Sequence, residues 1–351
     1  MKDIGLGYLR VKEERQQNMG ARGPSVSVTA PARLHMGFMD MNGELGRRFG
    51  SLGLCLSQPC TRLTIRDTSD GKSAARGPSS KRALACARTF LKSFNVGRDV
   101  QIELEEAIPE HVGLGSGTQL SLAVGVAIAR LFEVNVRLLE IANRVERGTR
   151  SGLGIGAFDL GGFLVDGGRG AGTLVPPVIS HIAFPEAWRV LLIFDRERRG
   201  IDGLEEHIAF EQLPKMAPSK VSHICRLVLL QVLPALVEAD YCGFGYAITE
   251  IQEMIGDHFA VWQGGRFSSP LARDVIARLK AQGVLGVGQS SWGPTGFAVF
   301  DHETRAYQVL RDLRARCNPD SPLSFMVCKA RNKGADIAVH GRPLSSSATS
   351  T

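Results

Sequence analysis

From Val112 to Ala129 the chain carries no charged residue, and this run limits most strongly how it can fold. A stretch of that length begins to match a membrane span. Its first half reads VGLGSGTQ, however, with Gly113, Gly115 and Gly117 alternating with other residues and a further glycine at 125. Ser116, Thr118 and Gln119 stand where helix caps belong. A glycine-rich loop feeding a buried helix explains the run better than a span. Glycines let the backbone turn tightly and approach a ligand. The unpaired N–H groups and positive dipole end of the following helix favour phosphate or diphosphate. The spacing is neither a Walker A loop nor G-x-G-x-x-G. The loop is therefore expected to cradle an anion at Gly113, Gly115, Ser116, Gly117, Thr118 and Gln119, the alternative being an ordinary tight turn before a buried helix.

The remaining pattern is mixed. SVSVTAPARLHMGFMD (25–40) alternates like a strand, with Arg33 and His35 on one face and Asp40 and Asn42 at its end. Asn42-Gly43 is a hairpin signal. GSLGLCL, TRLTIRD and VQIELEEA read as further strands. SSKRALACARTFLKSF reads as a helix capped by Ser80, and VRLLEIANRVERG as another. Residues 108–132 read as strand, loop and helix, and SGLGIGAFDLGG (151–162) as a second glycine-rich loop before the strand FLVD. WRVLLIFD (188–195) reads as a buried strand. From Lys215 onward helices alternate with the short strands GVGQSS, GFAVF and SFMVC. The pattern predicts an α+β chain in two lobes, 25–200 and 201–340, between a loose extension (1–24) and a frayed tail (341–351).

Composition narrows the partners. The chain has 351 residues, enough for about two domains. Its 44% hydrophobic and 22% charged content excludes a disordered or coiled-coil chain. The net charge of +7 rests on 32 Arg against 10 Lys, and Arg is the better fork for carboxylate and phosphate. Basic residues are scattered without an aromatic-lined stripe, so no nucleic-acid partner is expected, and no membrane partner either. The seven Cys form no C-x-x-C and the eight His no H-E-x-x-H, which argues against structural zinc and for a reducing cytoplasm. No targeting signal is read at the N-terminus.

Two more segments carry chemistry-bearing residues. GVGQSSWGPTGFAVF sets Gln289, Ser290, Ser291 and Trp292 between glycines, either as a substrate pocket or as a plain hairpin loop. Arg47 and Arg48 follow in a glycine-flanked loop, either as a clamp for carboxylate or phosphate or as solvated side chains.

PARLHMGFMDMNGELGRRFGSLGL, HVGLGSGTQLSLA and GVGQSSWGPTGFAVF, in this order, resemble the GHMP kinase superfamily over roughly residues 25–335. The resemblance implies an N-terminal lobe like the second domain of ribosomal protein S5, a ferredoxin-like C-terminal lobe, and a site between them. Many such kinases carry S-G-x-D before G-G, with the Asp as base. Here Ser151-Gly152-Leu153-Gly154 places Gly154 where that Asp is expected. RLHMGFMDMNGELGRRFGSLGLCL, GLGSGTQLSLAV and RSGLGIGAFDLGGFLVDGG resemble a non-kinase branch, the β-ribofuranosylaminobenzene 5'-phosphate synthase family. That implies a decarboxylating pentosyltransferase of methanopterin biosynthesis, joining phosphoribosyl pyrophosphate to 4-aminobenzoate or 4-hydroxybenzoate with release of CO2 and diphosphate. It further implies a homodimer, Mg2+ and no ATP. On this resemblance Arg33, His35, Asp40, Asn42, Arg47, Arg48, Arg150 and Asp159 are candidates for the reacting and anion-holding groups, and Glu146 with Ser116 for the metal. The alternative is an ATP-dependent small-molecule kinase of the same superfamily.

Overall fold

The computed structural model describes residues 23–341 except Ser69, Asp70 and Asp202. Nearly all of the expected extension, and the tail from residue 342, lie outside the described residues. In chain order the first elements are β1 (Ser25–Asp40), β2 (Arg47–Thr68), β3 (Ala74–Arg76), α1 (Ser80–Ser93), β4 (Asp99–Glu106), α2 (Ser116–Leu131), α3 (Leu138–Arg144) and α4 (Leu153–Asp159). There follow β5 (Phe163–Asp166), β6 (Arg169–Gly170), β7 (Val178–Ile182), β8 (Arg189–Asp195) and α5 (Gly203–Gln212). The rest are α6 (Pro218–Leu227), α7 (Leu233–Glu238), α8 (Tyr241–Gln263), α9 (Pro270–Ala281), β9 (Val287–Gln289), β10 (Gly296–Phe300), α10 (Glu303–Arg316), β11 (Leu323–Cys328) and β12 (Asp336–His340).

The first sheet runs β12-β1-β2-β4-β3, with β5 and β6 paired to β2, and β7 to β5. β1 and β2 form one long antiparallel hairpin through the Asn42-Gly43 turn. Two strands were expected in the second arm. Slips in register at Pro31/Ala32 and His35/Gly37 let the hairpin bend while β2 stays continuous. Val26, Val28 and Ala30 point inward with Leu63 and Ile65, and α2 packs over this face. The uncharged run is thereby explained: α2 touches β1, β2, α1 and α3, and Leu122, Val124 and Ile128 are wholly buried. Each such side chain contributes about 1.5–3 kcal/mol on leaving water.

The second sheet runs β11-β8-β10-β9, with α9 and α10 packed against it. The expected division at 200/201 does not follow the hydrogen bonds. β8 precedes it yet belongs to the second sheet, and β12 returns to pair with β1, Ser25 opposite His340. Ile337 and Val339 on β12 pack against the first core, which fixes that return. A further core joins the lobes, with Leu34 and Met36 of β1 against Phe244, Ile248 and Ile251 of α8.

Three local expectations change. Ser79, not Ser80, flanks α1, and its hydroxyl donates to Glu110 (2.6 Å) rather than capping the helix. Residues 108–112 form no strand. SGLGIGAFDLGG contains the short helix α4, whose Leu153, Ile155 and Phe158 are buried. Residues 218–238 are long and apolar enough to cross a membrane by length and composition. A π-turn at 228–232 interrupts them, and Ile224, Val232 and Leu236 sit in the shared core.

Candidate active site

The glycine loop opens α2 as expected. Gly115 takes a left-handed conformation (φ 78°) immediately before the first helical residue, Ser116. The loop is clamped from behind. Ser290 donates its hydroxyl to the Gly113 carbonyl (2.7 Å) and accepts from the His35 backbone N–H (3.1 Å). Thr295 donates to the Val112 carbonyl (2.7 Å), and the Gly200 N–H donates to the His111 carbonyl (2.7 Å). A Cβ at Gly113 would stand 2.5 Å from the Ser290 carbonyl oxygen, so only glycine fits this contact. The three motifs that lie far apart in sequence thus meet at one point.

In front of the loop lies a cleft of about 190 Å³. Three arginines line it. Arg33, half-buried on β1, reaches the Gly113 carbonyl only at 3.4 Å and leaves its buried Nε without a hydrogen-bond partner. Burial lowers its pKa, opposed by the carboxylates of Glu206 and Asp166. Arg82 on α1 and Arg147 approach Gly117, their guanidinium nitrogens 3.0 and 3.4 Å from where a Cβ would be. Arg82 is braced by Glu110 (2.8 Å). Loop N–H groups, a helix N-terminus and three guanidinium groups make a cradle for a polyanion. Ser116, Gly117 and Thr118 line it as expected, and so do Ser291 and Trp292. The Trp292 ring stacks on Phe259 at 3.9 Å between centroids.

Several sequence expectations are relocated. Gln119 is buried and donates to the Gly154 carbonyl (2.7 Å), because its side chain falls on the packed face of α2. Gln289 is satisfied by Ser268 and Gln263, and holds the loop shape rather than lining the cleft. His35 lies 1% exposed, with Nδ1 accepting from Gly37 N–H and Nε2 unpartnered. Burial, then the Arg33 charge, hold its pKa well below the usual value. It borders a separate cavity of about 10 Å³, room for one water. Asp40 accepts from the backbone N–H groups of Asn42 and Gly43 (2.6 and 2.7 Å) and shapes the turn. Asn42 donates to the Met216 carbonyl (2.8 Å). Arg47 donates to the carbonyls of Gly167 and Gly168, both at 2.7 Å, and Arg48 to that of Phe210 (3.0 Å). These arginines brace loops around a different hollow. Arg150 does not line the cleft itself but pairs with Glu206, which does (2.5 Å). Asp159 lines none of the cavities described here; its backbone carbonyl lies against Gly334, and burial raises its pKa.

The expected metal pair does not assemble. Glu146 is exposed and is not part of the cleft wall that holds Ser116. Among the described residues no three His, Cys, Asp or Glu side chains converge to hold a cation. The residues do not fit a metal held by the protein alone.

Sequence reasoning missed Arg82, Arg147 and Glu206, each delivered by a different element. It also missed Asp166. This buried carboxylate accepts from Ser51 (2.5 Å), Ser151 (2.9 Å), Gly152 N–H (3.1 Å) and Gly168 N–H (2.9 Å). Burial raises its pKa against those donors. It ties β2 to the turn between Arg147 and α4.

A Cβ at Gly154 would lie 2.9 Å from the Thr118 methyl carbon, so this position packs closely on a residue of the cleft wall.

Residues 81–162 match the GHMP kinases N terminal domain, and residues 232–319 the GHMP kinases C terminal. A beta-ribofuranosylphenol 5'-phosphate synthase of Archaeoglobus fulgidus is 34% identical over 326 residues, 89% of this chain and 99% of that protein. One from Methanothermobacter thermautotrophicus is 29% identical over 296 residues, 79% of this chain and 89% of its own. In fold, the chain is similar to the crystal structure of homoserine kinase from Cytophaga hutchinsonii, with a TM-score of 0.61 at 16% identity over 92% of this chain and 100% of that one.

Proposed function

The chain belongs to the beta-ribofuranosylphenol 5'-phosphate synthase family within the GHMP fold, and from that premise we propose that it joins phosphoribosyl pyrophosphate to 4-hydroxybenzoate or 4-aminobenzoate. It is a pentosyltransferase that releases CO2 and diphosphate, in the methanopterin route. The observation that carries this reading is the pairing of a polyanion cradle with Gly154, packed on Thr118 where a hydroxyl-activating acid would stand.

The chemistry needs no such acid. The anomeric C–O bond breaks and its electron pair leaves with the diphosphate. The ring carbon bearing the carboxylate bonds to the anomeric carbon. Loss of CO2 returns the electrons to the ring, and the phenol keeps its proton. What the protein must supply is a fixed set of donors for the leaving diphosphate. Arg33, Arg82, Arg147 and the backbone from Gly113 to Gly117 supply it, already oriented by Ser290, Thr295 and Glu110. Trp292 and Ser291 form the wall beside them, and in this reading the acceptor ring lies against that wall.

The name of the archaeal relatives, a ribofuranosylphenol synthase, supports 4-hydroxybenzoate as the acceptor, since decarboxylation of that acid leaves a phenol. Magnesium enters this reading as a counter-ion carried on the diphosphate, whose oxygens supply its ligands. ATP is not a substrate. The exposed Leu229, Leu230 and Val237 along 218–238 support a homodimer, and the free thiols of all seven cysteines fit a reducing cytoplasm.

The test is release of label from carboxyl-labelled 4-hydroxybenzoate and 4-aminobenzoate, with and without phosphoribosyl pyrophosphate. Label release that requires phosphoribosyl pyrophosphate is expected. ATP turnover in a parallel reaction, with no CO2 released, would mean that the kinase reading is right.

A further inference from the structure

The formally charged side chains that line the cleft are all cationic but one. Arg33, Arg82 and Arg147 line it with the positive end of α2, and among the described residues Glu206 is the one acidic side chain in its wall. Glu110, which braces Arg82, is not part of that wall. Glu206 stands on the first turn of α5 and is half-buried. Its position is enforced. Arg150 pairs with it at 2.5 Å and donates a second bond to the Gly203 carbonyl at the start of the same helix (3.3 Å). The Arg150 guanidinium lies over the Phe210 ring (5.6 Å), one turn further along α5. Phe210 in turn packs edge-on against Trp292, another residue of the cleft. Glu206 lines the same cleft as Arg33 and so stands close to the anion cradle.

A cradle of this kind has a chemical drawback for the reaction proposed above. It draws off the diphosphate, but the sugar left behind becomes positively charged at its ring oxygen and anomeric carbon. Guanidinium groups around that centre oppose its formation. A carboxylate fixed nearby reverses the effect, as carboxylates do for oxocarbenium-like centres in glycoside hydrolysis.

We propose that Glu206, fixed by Arg150, is a catalytic residue that stabilises the positive charge developing on the ribose as the diphosphate departs. The inference rests on the pentosyltransferase reading. Glu206 remains a carboxylate throughout; it neither takes a proton nor forms a bond to the sugar, and the electron pair of the broken bond leaves with the diphosphate. Arg150 is a positioning residue that acts through it.

The test is Glu206→Gln in the full-length protein, assayed with phosphoribosyl pyrophosphate and 4-hydroxybenzoate. Glutamine keeps the size and removes the charge. The expected result is a kcat lowered about 100-fold or more, with KM for phosphoribosyl pyrophosphate unchanged or lower, since an anion site has lost a negative charge. An unchanged kcat overturns the proposal. So does a raised KM at constant kcat, which would make Glu206 a substrate-binding or loop-shaping group. A loss repaired by excess Mg2+ overturns it too, by making the residue a metal ligand. If the glutamine variant fails to fold, Glu206→Asp replaces it. There the charge is retracted by one methylene, and kcat is expected to fall about tenfold with KM unchanged, an unaltered kcat again overturning the role. Wild-type protein is measured first. If it releases no diphosphate, the reaction is wrong; if it does, the variants bear on Glu206 alone.

Discussion

The cleft and the hollow beside the β1–β2 hairpin both set arginines around glycine turns, and they use them in opposite ways. The hollow is the larger, about 350 Å³ against about 190 Å³, and is lined by Arg47, Arg48 and Arg169. There, Arg47 closes on two backbone carbonyls and Arg48 on a third, with the buried Arg48 Nε left unpartnered. In the cleft, Arg33 has a buried Nε with nothing to bind, and the glycine loop presents backbone N–H groups at a helix start. A guanidinium bonded to its own chain braces that chain, whereas backbone N–H groups left over at a helix start can take an anion. Volume does not separate the two regions. Unspent donors do.

Four perturbations break or sharpen that contrast. The largest effect is expected from Gly113→Ala. It forces a Cβ into a left-handed position (φ 83°) and to 2.5 Å from the Ser290 carbonyl oxygen. A loss of about 3 kcal/mol in stability is expected by denaturant titration, and an unchanged midpoint would mean that the three motifs are not locked together. Next is Arg33→Met, which should cost about 2–3 kcal/mol in kcat/KM for phosphoribosyl pyrophosphate with little change in melting temperature. Steady-state kinetics beside a thermal melt separates the two. Arg47→Ala should do the reverse, lowering stability by about 1 kcal/mol while kcat/KM stays within about threefold. A large kinetic loss there would restore the hairpin arginines to the site.

The smallest effect concerns His35, behind the cleft. Burial, then the Arg33 charge, keep its imidazole neutral in the folded chain. The unfolded chain takes up a proton as pH falls through about 6.5, its ordinary value. Stability therefore decreases as pH drops below that value, until the lower folded value is passed. The difference between wild type and His35→Gln in denaturant midpoint should shrink with acidity across that window. A constant difference would show that His35 does not titrate on unfolding.

What the sequence made legible was local. The alternating glycines and the uncharged run after them sufficed to place a turn, a helix start and a buried helix, because each depends on neighbours a few residues away. Gly154 was legible as an absence, but its neighbour, the Thr118 side chain from another helix, was not. The cleft's cations were not legible. Arg82 belongs to α1 and Arg147 to the turn before α4, and only packing against α2 brings both to Gly117. Gln119 was misread because a polar residue after a cap looks available, while the winding of α2 turns it to the Gly154 carbonyl. For Arg47 and Arg48 the sequence left clamp and solvated side chain open, because it does not show which carbonyls a guanidinium has already found. β12 returns to β1 on the strength of Ile337 and Val339, a pairing more than 300 residues apart that periodicity over five residues cannot announce.

The central claim is that a kinase-shaped cleft expels diphosphate from a sugar instead of passing a phosphoryl group to an acceptor. Phosphorus NMR of the protein with phosphoribosyl pyrophosphate, 4-hydroxybenzoate and ATP in one tube tests it most directly. The account predicts that the diphosphate resonance grows only when the benzoate is present, while the ATP signals stay constant. Growth of ADP with phosphoribosyl pyrophosphate left intact would contradict it.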